Sequence, residues 1–324
     1  MAPLVLLLVA ASAGCRPAPQ APCSGCTTEG GAAGNSGAEG VTALVGGTVL
    51  RPGATDGADA LRNATVVMKE GRITACGPAQ DVAVPPGARV IDTKGQFVLP
   101  GFVDAHVHFF QSGGPATRPD VVPLTKAFFP YAEEARRVRQ ELPETLRAWL
   151  ASGVTSVADD GGPFWNFEVR AFAAAVPKAP RVLVAGPLIS TRDLPTVHRM
   201  DLEDPPIIAV NTPDEARTLA RRQLERHPDF VKVWFIHRRG DDLAAQEAVA
   251  RAAGDEAHAA GVRLMVHAMS LAVAKAALRA GADILVHSVV DLAVDDELVS
   301  LARARKVVYV PTLYVGTGYL KALG

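Results

Sequence analysis

The sequence predicts an α/β fold built on a parallel sheet, with a small β part ahead of it. Three observations carry this expectation. From residue 97 onward, apolar runs of strand length alternate with helix-periodic segments, the order that βαβ units impose. Two of those units repeat: Ala260-Gly261-Val262-Arg263-Leu264-Met265-Val266-His267 aligns with Ala280-Gly281-Ala282-Asp283-Ile284-Leu285-Val286-His287. Residues 41–96 instead hold short β-type runs punctuated by glycine and proline.

Size and charge bound what such a fold can do. The 324 residues, 48% of them hydrophobic, suffice for a large core and one or two domains. A formal net charge of -1 gives no reason to expect nucleic acid or an anionic membrane surface as partner.

In chain order, Met1 to Ala11 is an apolar run too short to span a bilayer as a stable helix. It leads through Ser12-Ala13-Gly14 to Cys15 and resembles a bacterial lipoprotein signal. Residues 1–15 are therefore expected to be a signal segment with a possible lipid anchor at Cys15. The chain would then be exported, to the periplasm or the outer membrane. An ordinary cleaved signal or a misplaced start codon is the alternative. Residues 16–40 are rich in Gly, Ala, Pro and Ser and read as a flexible linker. Cys23 and Cys26 in it read as an incidental pair, oxidised after export. Only Cys76 falls in the folded part, so disulfides are not expected to frame the core.

Within 41–96, Val41–Val45, Ala64–Met68 and Arg72–Cys76 are strand-like. Gly46-Gly47, Glu70-Gly71 and Pro85-Pro86-Gly87 are read as the breaks between them. The strands of the α/β part are expected at 97–105, 153–159, 181–186, 230–236, 262–267, 282–287 and 307–312. Thr212-Pro213-Asp214-Glu215 is a capping box with Pro at the first helical position, opening a helix to about His227. Further helices are expected over Asp241–Ala260, Leu271–Ala280 and Asp295–Ala304. The repeat, in which a Gly turn leads to a buried strand closed by one polar residue, supports a barrel with its chemistry at the strand C-terminal ends. Seven such strands are countable, and a closed (β/α)8 TIM barrel needs eight.

The polar residues at those ends carry the functional reading. His106 and His108 stand two apart in Val98-Leu99-Pro100-Gly101-Phe102-Val103-Asp104-Ala105-His106-Val107-His108. On a strand, residues i and i+2 face one side, and neutral imidazole is a common metal ligand. Lys232, His267 and His287 take corresponding positions on later strands. A Lys among apolar strand residues tends to lose its charge or find a partner. A neutral amine can also take up carbon dioxide as a carbamate that bridges two metals. Taken singly, Lys232 reads as a strand-end Lys reaching solvent, and each His as a satisfied core residue. Together the five favour a metal site.

At this point the chain resembles the amidohydrolase superfamily, and within it the imidazolonepropionase-like and dipeptidase-like members. The matching stretches are Gly95 to His108, Gly153-Val154-Thr155-Ser156-Val157, Arg181 to Pro187, Val231-Lys232-Val233, Val266-His267-Ala268 and Val286-His287-Ser288. The resemblance spans about residues 41–324. It implies a (β/α)8 TIM barrel over 97–324 and a small β-sandwich to which 41–96 contribute. It also implies His106 and His108 on one metal, His267 and His287 on the other, and a carbamylated Lys232 between them. Zinc is the default metal, as one or two ions. The reaction implied is hydrolysis of an amide or peptide-like C–N bond by a metal-bound hydroxide.

The family pattern places an Asp at the end of strand eight, and no residue here matches it. After Val315 the sequence reads Gly316 to Gly324, so the barrel is expected to be C-terminally truncated, with strand eight missing. An incomplete reading of a longer gene is the preferred explanation, and the chain as it stands is expected to lack full activity. The alternatives are a catalytically inactive tethered binding protein and a phosphotriesterase- or lactonase-like hydrolase. Asp159 and Asp160, which end strand two, are read as turn or supporting residues. The expected substrate is a small molecule or dipeptide-like compound, with His198 in the loop after strand three as the substrate-binding candidate. Arg192 and His237-Arg238-Arg239 are further candidates for a substrate carboxylate.

Overall fold

The computed structural model describes residues 8–9, 40–53, 59–112, 131–195, 203–315 and 317–318. The chain separates into two compact units, residues 1–102 and 103–324. Most of the signal segment, Cys15, the linker up to residue 39 and His198 lie outside the described residues.

The first unit is one mixed six-stranded sheet. Its strands are β1 (Leu8–Val9), β2 (Val41–Leu50), β3 (Ala60–Lys69), β4 (Arg72–Pro78), β5 (Arg89–Asp92) and β6 (Phe97–Pro100), in the order β1-β6-β2-β3-β4 with β5 also on β2. Glu70 and Gly71, both at positive φ, make the two-residue turn of the β3–β4 hairpin. Gly46-Gly47 does not end a strand as expected. It forms a bulge inside β2, where the register slips between Val45 and Gly47. Gly47 packs so closely on Thr93 that an added Cβ would lie 2.7 Å from Thr93 Oγ1. Leu44, Val66 and Val98 form the centre of one buried cluster with Cys76. Cys76, the one cysteine after residue 26, is disulfide-bonded.

The second unit alternates strand and helix. Its strands are β7 (Phe102–Val107), β8 (Val154–Asp159), β9 (Arg181–Val184), β10 (Leu188–Ser190), β11 (Ile207–Ala209), β12 (Phe230–Trp234), β13 (Arg263–His267), β14 (Ile284–Val286) and β15 (Val308–Val310). They form a three-stranded sheet β7-β8-β9 and a parallel six-stranded sheet β11-β10-β12-β13-β14-β15. Asp229 links the two: its N–H donates to Val184 O at 2.8 Å and its carboxylate accepts the Val184 N–H at 2.8 Å. The α/β class and the parallel pairing follow the sequence reading. Closure into a barrel is not seen among the described residues, where β7 and β15 end their sheets.

Two expected strands divide. The 97–105 run breaks at Gly101, after Pro100, which has no N–H to donate; its first half joins the other sheet as β6. The 181–186 run stops at Val184, and Gly186-Pro187 separates β9 from β10. At Gly186 a Cβ would lie 2.2 Å from the Phe167 ring, so the backbone turns where only glycine fits.

The helices are α1 (Tyr131–Ala151), α2 (Glu168–Ala175), α3 (Pro213–Leu224), α4 (Leu243–Ala259), α5 (Leu271–Arg279) and α6 (Asp296–Arg305). The capping box is formed: Thr212 Oγ1 accepts the Glu215 N–H, and Glu215 returns a carboxylate to the Thr212 N–H, each at 3.2 Å. Asp242 caps α4 and Asp295 caps α6 through side-chain oxygens. The main core lies between α3, α4 and α5 and strands β10 and β12 to β14. Alanines such as Ala253 and Ala277 let these helices approach closely there. That packing fixes the strand ends from which the site residues project. Among the described residues no helix is long and apolar enough to cross a membrane.

Candidate metal centre

The strand alternation brings the candidate ligands to one place. His106 lies within β7 and His108 just past its end, with ring centroids 5.1 Å apart. His267 closes β13, and His287 follows β14 directly. The His287 ring is 4.6 Å from that of His106 and 4.5 Å from that of His267. Lys232 sits in the middle of β12, 1% exposed. The five sequence-predicted positions thus form one cluster, with the four histidines at or just past the C-terminal ends of their strands and Lys232 inside β12.

Two of the rings have a local partner at hydrogen-bond distance. His108 Nδ1 lies 2.7 Å from Gly161 O, and His287 Nδ1 lies 2.9 Å from Thr312 Oγ1. Asp104 Oδ1 accepts the His106 N–H at 3.1 Å. Trp234, two residues after Lys232 and on the same face of β12, sets its ring edge-on to His267 at 6.0 Å.

Asp160 is the residue that the sequence reading undervalued. It follows β8 and is fully buried, as is Asp159. Asp160 Oδ2 lies 3.0 Å from Lys232 Nζ, an ion pair within hydrogen-bond distance. The same oxygen lies 2.9 Å from His106 Nδ1, but off the direction that a hydrogen bond requires. The signal was available, since Asp160 stands at a strand C-terminal end like the five residues singled out.

Burial sets the protonation states. It is the largest cause holding all four imidazoles below their ordinary range, and the positive neighbours Lys232 and the other rings add to it. His108 falls to about 3 and His287 to about 4. Burial also lowers Lys232 against the pull of Asp160, and raises Asp159 and Asp160. At neutral pH the cluster presents neutral imidazoles, the form that binds metal.

Residues 97–316 match the model of the amidohydrolase family. The chain belongs to the amidohydrolase family. An imidazolonepropionase of Myxococcus xanthus is 34% identical over 122 residues, covering 31% of this chain and 28% of that one. A dihydroorotase of Anaeromyxobacter dehalogenans is 40% identical over 70 residues, covering 22% and 15%. Among solved structures, a Bifidobacterium longum protein assigned as a prolidase superposes with a TM-score of 0.63 at 27% identity, covering 86% of this chain and 62% of that one. The matched stretches thus span less than a third of the two curated relatives and about three fifths of the solved one.

The donor set of this amidohydrolase fits a divalent metal. His106 Nδ1 and Asp160 Oδ1 are buried polar atoms without a hydrogen-bond partner, among imidazole and carboxylate groups that suit zinc. No group of three or more His, Cys, Asp or Glu among the described residues is drawn tightly enough to close on an ion as it stands.

The cluster opens into a cavity of about 740 Å³. Leu188, Ile207, Trp234, Ile236 and Met269 give it a largely apolar wall. Two carboxylate-binding candidates lie elsewhere. Arg192 is paired with Asp241, and His237 Nδ1 lies 2.7 Å from Gln246 Oε1; neither lines the cavity. Their side chains already have partners, which local sequence could not reveal.

Proposed function

We propose that this amidohydrolase is a metal-dependent hydrolase of amide or peptide-like C–N bonds, with the second unit closing in the manner of a (β/α)8 barrel. The observation that carries the reading is the convergence of four imidazoles at strand ends with buried Lys232 on one cavity. His106, His108, His267 and His287 would hold one or two zinc ions together with Lys232. A divalent metal bound there supplies an activated water and polarises the substrate carbonyl. The chain's own residues do the rest. Trp234, Ile236 and Met269 exclude bulk water and hold an apolar substrate group. Gly161 O and Thr312 Oγ1 fix the ring orientations of His108 and His287. His198 remains the proposed substrate contact. Export through the N-terminal segment, with Cys15 as a lipid anchor, remains part of the proposal.

The substrate class follows from the wall. Among the described residues no Arg lines the cavity, and its Lys, Lys232, is already paired with Asp160. That favours a small amide with an apolar acyl or amine group. The test is a panel of neutral N-acyl amides, dipeptides, lactones and phosphotriesters, assayed with zinc and with a chelator. Chelator-sensitive turnover of amides is expected. Turnover confined to the lactone or phosphotriester arms, or insensitive to chelation, would overturn the assignment.

A further inference from the structure

We propose that Asp159 is a positioning residue for His108: its buried carboxyl pins the backbone next to that imidazole and under the carbonyl that faces it, and so fixes the ring's Nδ1–H tautomer. The inference rests on the metal-hydrolase reading above for what the ring is positioned to do, and its first readout is taken without metal.

The strand ends create the need. β7 and β8 are neighbours in one sheet, and the Asp160 N–H donates to Val107 O at 2.9 Å. Beyond that bond β7 runs on into His108 and Phe109. β8 has ended at Asp159, and its chain turns at Gly161, where φ is 117°. Phe109 and Gly161 are both buried, so their N–H groups need acceptors inside the protein.

Asp159 meets that need with its side chain. Oδ1 accepts the Gly161 N–H at 3.4 Å. The Phe109 N–H and the Asn166 amide lie against the same carboxyl. The carboxyl is braced in turn: Asp159 O accepts the Ala185 N–H at 2.9 Å, and Asn166 Nδ2 donates to Ala185 O at 3.1 Å. Asp159 and Asn166 are fully buried, and water does not compete for these groups.

The consequence falls on His108. Gly161 O lies 2.7 Å from His108 Nδ1. A carbonyl oxygen can only accept, so in the neutral ring Nδ1 carries the proton and Nε2 keeps the lone pair that a metal takes. One carboxyl thus holds the residue after His108 and the residue whose carbonyl faces its ring. Both contacts use Asp159 as an acceptor. An amide oxygen fills that role too, so the side chain acts through hydrogen bonding and not through charge.

The test uses the full, metal-free chain with nitrogen-15-labelled histidine at neutral pH, with His108 assigned by its absence from His108→Ala. Nitrogen-15 NMR reads the tautomer in the wild type, Asp159→Ala and Asp159→Asn, and chelator competition then reads zinc affinity in each. The wild type is expected as the Nδ1–H tautomer. Asp159→Ala is expected to mix the two tautomers and to lose zinc affinity about 10- to 100-fold. Asp159→Asn is expected to restore both. A wild type protonated at Nε2, an Asp159→Ala variant with wild-type tautomer and affinity, or an Asp159→Asn variant as impaired as Asp159→Ala overturns the proposal. If Asp159→Ala does not fold, hydrogen exchange in the wild type decides: slow Gly161 and Phe109 amides beside an Nδ1–H ring support it, and fast ones overturn it. A wild type with the expected tautomer that binds no zinc overturns the metal-hydrolase reading and leaves the positioning of the ring standing.

Discussion

His287 and Thr312 are joined through Nδ1 and Oγ1 at 2.9 Å, and both residues stand at positive φ, 76° and 45°. Left-handed backbone is uncommon for His and a genuine outlier for a β-branched Thr. Strain of this kind persists only where surrounding structure over-determines it, and it gathers at functional sites. Here it aims the His287 ring at His106 and His267.

The first prediction follows from that pair. Thr312→Ala removes the hydroxyl that orients His287, and zinc affinity should fall about 10- to 100-fold. Thr312 lines the cavity and is half-buried rather than part of the core, so far-UV circular dichroism should be unchanged. Affinity equal to wild type in a chelator competition would show that the hydroxyl does not position the ring.

The second concerns pH. Each site imidazole has a folded-state pKa below its unfolded value, so in the metal-free protein it contributes stability that is present above about pH 6.5. That contribution is lost as the pH falls toward the folded values of about 4 for His287 and about 3 for His108. Asp159 and Asp160 are raised by burial and act in the opposite sense, which makes global acid unfolding a mixed readout. Residue-resolved NMR of the metal-free protein separates them. The His287 ring should titrate near 4; a midpoint near 6.5 would contradict the buried arrangement.

Much of this arrangement was legible in the sequence. The positions of His106 and His108 on one strand face and the phase of His267 and His287 in a repeat follow from strand alternation. The capping box at Thr212 needs no tertiary information. The helix Tyr131–Ala151 also leaves a trace, because Val138, Leu142 and Leu146 recur every fourth residue and are its buried apolar residues. The breaks at Gly101 and Gly186 were not legible. They depend on which sheet accepts Phe97–Pro100 and on Phe167 filling the space beside Gly186. Asp160 was legible by position and was passed over, because its value lies in the approach of Lys232 from a distant strand.

Gly161 yields the third prediction. Its φ of 117° is a glycine-type conformation, and an added Cβ would lie 2.4 Å from Gly186 O. Its carbonyl oxygen also lies 2.7 Å from His108 Nδ1. Gly161→Ala should destabilise the fold by at least about 1–3 kcal/mol and weaken zinc binding in whatever protein remains folded. Urea unfolding together with chelator competition measures both. A stable variant with normal affinity would show that this turn does not seat His108.

A fourth prediction checks the frame away from the site. Asp295 Oδ1 accepts the Leu298 N–H at 3.0 Å at the start of α6, and Oδ2 accepts Lys275 Nζ at 2.6 Å. Asp295→Ala should cost about 1 kcal/mol, chiefly through the lost cap, and leave metal content untouched. Thermal unfolding beside metal analysis makes the comparison, and loss of metal in this variant would show that α6 is coupled to the centre.

The most direct measurement is the metal content of the purified chain after zinc loading, in the wild type and in His106→Ala and His267→Ala. One or two zinc ions per chain are expected in the wild type, reduced in both variants while circular dichroism stays native. A folded wild type that holds no zinc, or variants that hold as much as it does, would contradict the metal centre.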